Sequence, residues 1–92
     1  MARIEIGELR ITAAADDTFW SHGLTPKQVR SILDRRWVVI RNRPDRAAPY
    51  VLIGRDEQGR CLAIPIVPTD DRFVWRPVTA WYCKPSEMAK LR

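Results

Sequence analysis

The sequence predicts a single α+β domain over residues 1–92, with helices packed on one face of an antiparallel sheet of about four strands. Two observations lead to this fold class. Strand-like and helical patterns follow one another in the order strand, helices, antiparallel meander and helix. No repeat, low-complexity tract or linker-like composition divides the chain, and a chain of this length builds one modest core.

The N-terminal segment is predicted to form a strand and a short helix. Residues 4–11 alternate weakly between apolar and polar side chains, which is typical of one strand or of a short hairpin bent near Gly7. In the following "DDTFWSHG", Asp16 or Asp17 lies near the start of the predicted helix, and Gly23 is its left-handed stop.

A second helix has the clearest local pattern in the chain. Thr25 can cap it, Pro26 suits its first position and Gln28 completes a capping box. The β-branched run "WVVIRN", residues 37–42, then predicts a strand, and residues 43–49 form a basic loop marked by prolines.

Residues 50–67, "YVLIGRDEQGRCLAIPIV", are predicted to form a β-hairpin. Asp56 and Gly59 suit the first and last positions of a type I turn with a glycine bulge. In that register Asp56 faces Arg60, which predicts an exposed ion pair. Arg55 points to the other side of the sheet without an evident partner, so it is either a solvated strand-end charge or a functional cation.

A last strand is predicted within residues 72–83, and "PSEMAKLR", residues 85–92, is predicted to form a terminal helix. Proline has no N–H to donate, so a bulge or a sheet edge is expected at Pro77 and at Pro65. The tryptophans are expected to be core or interface anchors rather than base-stacking platforms. They are Trp20, Trp37, Trp75 and Trp81.

The composition indicates a polyanionic partner. Sixteen Lys and Arg against eleven acidic residues give a formal charge of +5. The planar guanidinium of the dominant cation, arginine, suits phosphate recognition, so the partner is a nucleic acid or an acidic protein. A GC-rich genome that favours arginine codons would produce the same excess of charge.

The two cysteines, Cys61 and Cys83, have no metal-ligand spacing and are expected to be reduced, half-buried thiols. No apolar run is long enough to cross a bilayer, and the charged N-terminal residues do not form a signal peptide. The expected location is therefore the cytoplasm, and no metal or other cofactor is expected.

Four short stretches occur in a defined order: "HGLT" at 22–25, "YVLIGRDEQGRCL" at 50–62, "RPVTA" at 76–80, and Glu87 in the terminal helix. Together they resemble the BrnT toxins of bacterial type II toxin–antitoxin modules, small ribonucleases with a RelE/ParE-like fold. The resemblance spans most of the chain. Two positions depart from the family pattern. Gln28 stands where the family tends to have an acidic residue, and Trp81 stands where it tends to have an arginine.

Metal-independent RNA cleavage by a 2′-hydroxyl needs a proton acceptor, cations for the phosphorane-like charge, and a donor to the leaving oxygen. His22, the only histidine, can exchange protons near neutral pH, or it can simply end a helix. Arg76 and Tyr82 share one strand face by alternation. The predicted catalytic residues are His22, Arg55, Arg76 and Tyr82, and the predicted nucleic-acid-binding residues are Arg55, Arg60, Arg76 and Lys84.

Two functions stay open at this point. The first is a ribonuclease toxin, neutralised by an antitoxin that covers the basic surface around Arg55, Arg60 and Arg76. The alternative is a catalytically silent module of the same fold that binds a nucleic acid or a protein. The expected partners are RNA and a cognate antitoxin, with no membrane, and a homodimer is left open.

Overall fold

The computed structural model describes residues 4–91. The elements in chain order are β1 (Glu8–Leu9), α1 (Ala13–Ser21), α2 (Pro26–Ser31), β2 (Trp37–Arg41), β3 (Tyr50–Arg55), β4 (Cys61–Pro68), β5 (Val74–Pro77), β6 (Trp81–Tyr82) and α3 (Pro85–Met88). A 3-10 turn at Ile32–Asp34 extends α2, and another at Ala89–Leu91 extends α3.

The strands form one mixed sheet of six strands in the order β1-β5-β4-β3-β2, with β6 also paired to β4. The α+β class is confirmed, but the expectation of about four antiparallel strands is wrong. The first strand pairs parallel to β5, with Glu8 beside Val74, so it is not part of a hairpin bent at Gly7. The predicted last strand is divided into β5 and β6.

The local signals of the second helix and of the hairpin are confirmed. The main-chain amide of Gln28 donates to Thr25 Oγ1 at 3.1 Å. The main-chain amide of Thr25 donates to Gln28 Oε1 at 3.4 Å, which completes the capping box. In the hairpin turn, the Gly59 amide donates to the Asp56 carbonyl at 3.0 Å, and Gly59 has φ of 82°. That positive φ is the reason glycine stands there.

The first helix begins earlier than the sequence indicated. Thr12, not Asp16 or Asp17, is its N-cap, because Thr12 Oγ1 accepts the Ala15 amide at 3.2 Å. Gly23, with φ of 75°, follows its C-terminal end as expected.

The helices α1 and α2 pack on one face of the sheet, as expected, whereas the 3-10 turn after α3 covers part of the other face. On one face, Leu52 and Ile64 pack with the side chains of α1 and α2. On the other, Val51 and Ile53 pack with Leu91 from the 3-10 turn after α3. We call these the helix face and the C-terminal face. Consecutive apolar residues along β3 and β4 are buried, which requires cover on both sides.

A one-residue bulge separates β5 from β6, in agreement with the prediction at Pro77. Ile66 of β4 pairs with Pro77, and Ala63 pairs with Trp81. Between these pairs, two residues of β4 (64 and 65) therefore lie opposite three residues, 78–80.

The extra residue reverses the side-chain alternation after the bulge. Arg76 pairs with Val67 of β4, whereas Tyr82 pairs with Leu62, and these two partners point to opposite faces. Arg76 is therefore on the C-terminal face and Tyr82 on the helix face. The prediction that they share a face is wrong.

Cys61 and Cys83 form a disulfide, so the expectation of reduced thiols is also wrong. Their Cα atoms are 5.3 Å apart because β6 lies beside β4, and the Cys83 amide donates to the Cys61 carbonyl at 2.9 Å. No local pattern indicates this pairing, because it depends on the register of strands that are distant along the chain.

Three of the four tryptophans are at least half-buried. Trp75 is buried, and Trp37 and Trp81 are half-buried, as expected for core residues, whereas Trp20 is 60% exposed. None of the helices in residues 4–91 is long and apolar enough to cross a bilayer.

Candidate functional site

A cleft of about 600 Å³ opens on the C-terminal face. Three segments form it: the β2–β3 loop, the bulge between β5 and β6, and the start of α3. Its base is apolar and includes Ile40, Val51 and Trp81. The cationic side chains that line it are Arg41, Arg43, Arg46 and Lys84.

Main-chain and side-chain hydrogen bonds fix the shape of the β2–β3 loop. The Asn42 amide donates to the Pro49 carbonyl at 2.9 Å, and Asn42 Nδ2 donates to the Ala48 carbonyl at 2.9 Å. The Arg46 amide donates to the Arg43 carbonyl at 3.1 Å. Both ends of the loop and its turn are therefore held, while the arginine side chains remain exposed.

The cleft has a strong excess of positive charge. Four cations line it against one carboxylate, that of Glu87. Glu87 is already engaged, because its carboxylate accepts the Trp81 indole N–H at 3.1 Å and the Lys84 amide at 2.8 Å. Within residues 4–91, the one ion pair joins Arg60 to Asp56, outside the cleft. The cleft cations are thus free to meet an anionic ligand.

The contact between Trp81 and Glu87 bears on the departure from the BrnT pattern. An arginine at position 81 would lie beside the Glu87 carboxylate, so it would form an ion pair there rather than present a free cation. In this chain the indole takes that place, and it packs in the apolar cluster of the C-terminal face.

The same loop borders a second, smaller cleft of about 340 Å³. Arg41, Arg43 and Arg46 line both clefts, and Tyr50 closes the second one. Tyr50 packs against the core of the helix face. The loop arginines therefore border openings on both sides of the loop.

A separate polar cluster lies on the helix face around Asp56, which is 0% exposed. Its Oδ2 accepts Gln28 Nε2 at 2.9 Å and Arg60 Nε at 3.1 Å. Gln28 Nε2 also donates to the Tyr82 hydroxyl at 3.1 Å, and the Arg60 guanidinium lies 5.6 Å from the centre of the Tyr82 ring. The expected Asp56–Arg60 pair is confirmed, but it is not an exposed one, because its carboxylate is buried.

Opposing effects set the pKa of Asp56. Burial raises it, but hydrogen bonds from the Arg60 amide, the Gln28 side chain and the Gln58 amide, together with the Arg60 charge, lower it. The net pKa lies below the ordinary value of 3.8. The surrounding donors thus favour the charged carboxylate.

This shift predicts a pH dependence of stability. Because the pKa of Asp56 is lower in the folded state, its contribution is complete above the unfolded pKa and is lost as pH falls through the folded pKa. We expect the free energy of unfolding to fall below about pH 4 more steeply for the native chain than for Asp56→Asn. Urea unfolding of both proteins from neutral to acidic pH measures the difference. Parallel curves would contradict the assignment.

The predicted catalytic residues do not come together in one site. His22 is exposed at the C-terminal end of α1 and is the C-cap of that helix, as the alternative interpretation had it. Tyr82 lies on the helix face with Gln28 and Arg60. Arg76 and Arg55 lie on the C-terminal face, by their pairing with Val67 and Cys61.

The contacts of Arg55, Lys84 and Arg60 show where these three predicted site residues lie. Arg55 has a partner after all, because its guanidinium donates to the Gly59 carbonyl at 2.9 Å. Of the predicted nucleic-acid-binding residues, Lys84 lines the main cleft, while Arg60 lies on the opposite face.

Sequence reasoning missed the position of the loop arginines at the cleft. Residues 43–49 are basic and marked by prolines, but nothing in the local sequence indicates that Arg43 and Arg46 lie near Lys84. That proximity arises because β2 and β3 are adjacent and the 3-10 turn after α3 packs against both strands.

A scan against protein-family models finds no match, and searches of curated proteins and of solved structures return no significant match. The resemblance to the BrnT toxins therefore stays a prediction from the residues quoted above.

Proposed function

We propose that this protein binds RNA through the basic cleft of the C-terminal face. The observation that carries the proposal is the convergence of four cations on one cleft with an apolar base, where the sole carboxylate is already hydrogen-bonded. Phosphate groups are the anions that the arginine fork recognises best.

The shape of the site favours an extended ligand over a small one. The loop arginines line openings of about 600 Å³ and about 340 Å³ on two sides of the same loop. A polynucleotide presents phosphates at regular intervals and can contact all of these cations at once. A single phosphate or nucleotide would leave some of them unused.

The cleft is proposed to bind RNA and not to cleave it. Ribonuclease activity is the finer function that the BrnT resemblance implies. It would require groups on both faces of the sheet to act on one phosphate, since Tyr82 and Arg76 lie on opposite faces. The geometry therefore best supports the second function considered from the sequence, that of a module that binds a nucleic acid without cleaving it.

Binding to a labelled single-stranded RNA of about 12 nucleotides, followed by fluorescence anisotropy, tests the proposal. If four cations each neutralise one phosphate, affinity should fall about 50-fold between about 50 mM and 200 mM salt. Arg46→Glu should weaken binding by about tenfold and reduce the salt dependence.

Arg10→Glu is the matched control, because Arg10 is also exposed and the charge change is the same, but the residue does not line the cleft. Equal losses in the two variants would show that only net charge matters and would contradict a specific cleft. Binding to an acidic peptide but not to RNA would favour the protein partner. Cleavage of the RNA in the presence of EDTA would restore the ribonuclease hypothesis.

A further inference from the structure

Strand β2 lies at the edge of the sheet. Within residues 4–91 it pairs with β3 alone, so its outer row of main-chain N–H and C=O groups has no strand partner in that part of the chain. Such an edge is a template for another strand unless charges, prolines or bulges block it. In β2 the one charged residue is Arg41, at the end of the strand, and there is no proline.

The apolar side chains of β2 are incompletely covered. Trp37, Val38, Val39 and Ile40 are all half-buried, whereas the apolar residues within β3 and β4 are almost all buried. Trp37 and Val39 extend the core of the helix face, and Val38 and Ile40 extend the cluster of the C-terminal face. Both apolar layers of the domain therefore continue to this edge and end there partly exposed.

We propose that β2 pairs with β2 of a second copy of this chain, in antiparallel orientation, with Val39 opposite Val39. This register pairs all five residues of the strand. It places Arg41 opposite Trp37 of the partner subunit, a favourable cation–π pair, and Val38 opposite an isoleucine.

Other registers fit less well. A pairing centred on Val38 places Arg41 opposite an arginine at position 35, and like charges in that position are unfavourable. A shift by an odd number of residues would bring the helix face of one copy beside the C-terminal face of the other, so the apolar layers would not join.

The twofold axis of such a pair is perpendicular to the sheet, so the C-terminal faces of both copies lie on the same side. The two Arg41 residues are then offset by four residues, about 13 Å along the strand direction. One RNA strand could follow both basic clefts through Arg43, Arg46 and Lys84 of each copy. This consequence rests on the proposed function, whereas the dimer does not.

A cross-linking experiment tests the register directly. Val39→Cys places the new thiols opposite each other at the twofold axis, and in the disulfide-intact protein they are the only free thiols of the described chain. We expect mild oxidation to convert this variant to a covalent dimer, seen on a non-reducing gel. Arg41→Cys is the control, because its thiol is more exposed but lies about 13 Å from its counterpart along the strands.

Sedimentation velocity of the unmodified chain gives the second measurement, and neither measurement involves RNA. We expect a mass that rises with concentration toward twice the 10.7 kDa of the chain. A monomer at every concentration, or cross-linking of Arg41→Cys as efficient as that of Val39→Cys, would overturn the proposal. Loss of RNA binding alone would overturn only the proposed function.

Discussion

Replacement of Asp56 by alanine is expected to lower the free energy of unfolding by about 3 kcal/mol, because it removes a buried charge around which several donors are arranged. The carboxylate accepts four hydrogen bonds. Those at Oδ1 come from the Gln58 and Arg60 amides, at 2.9 Å each, and those at Oδ2 come from Gln28 Nε2 and Arg60 Nε. Alanine would leave buried donors without acceptors.

The effect should extend beyond the turn. Gln28 belongs to α2 and Tyr82 to β6, so the Asp56 carboxylate connects the hairpin turn to a helix and to a short strand. The Gln28 side-chain amide makes the hydrogen bond to Asp56 and the hydrogen bond to Tyr82, and Asp56 holds that amide in position. The loss of one carboxylate should therefore loosen three elements at once.

Thermal and urea unfolding measure this prediction. A loss of about 3 kcal/mol in a domain of this size lowers the Tm by about 12 °C or more. Asp70→Ala is the control, because Asp70 is exposed and its side chain makes no hydrogen bond among the described residues. Its effect should stay within about 0.5 kcal/mol. An Asp56→Ala protein as stable as the native chain would show that the buried carboxylate contributes nothing net.

Reduction of the Cys61–Cys83 disulfide is expected to lower the free energy of unfolding by a similar amount. The bond joins residues 22 positions apart, and closing a loop of that length in the unfolded chain is worth about 3 kcal/mol. β6 has only two residues and α3 only four, so apart from the disulfide this end of the chain is held on the sheet mainly by the packing of Trp81 and Leu91. The segment from Trp81 to Leu91 should loosen first.

Urea unfolding with and without a dithiol reductant tests this prediction. The double variant Cys61→Ser, Cys83→Ser should be about as unstable as the reduced chain and should not respond to the reductant. Thiol titration of the untreated protein under denaturing conditions shows whether the bond is formed. Free thiols in a protein purified without reductant would contradict the disulfide.

The disulfide also bears on location and on the cleft. Disulfides persist mainly in oxidising compartments, so this bond does not favour the cytoplasmic location expected from the sequence. Lys84 follows Cys83 directly and lines the basic cleft, so the bond also holds one wall of the proposed RNA site in place.

Features whose interacting residues are close together along the chain could be predicted from the sequence. The capping box needs only Thr25 and Gln28, and the hairpin turn needs only Asp56 and Gly59, so each is formed by hydrogen bonds that the local chain dictates. The bulge directly after Pro77 was likewise expected, because the proline nitrogen carries no hydrogen to donate to the sheet.

The other features depend on contacts between residues that are distant along the chain. A single extra residue in the bulge at 78–80 placed Tyr82 and Arg76 on opposite faces and so divided the predicted catalytic set. The disulfide and the basic cleft depend on which strands are neighbours and in which register. Side-chain direction in a sheet reverses with each residue, so one residue of register, which local sequence does not fix, determines which side chains can meet.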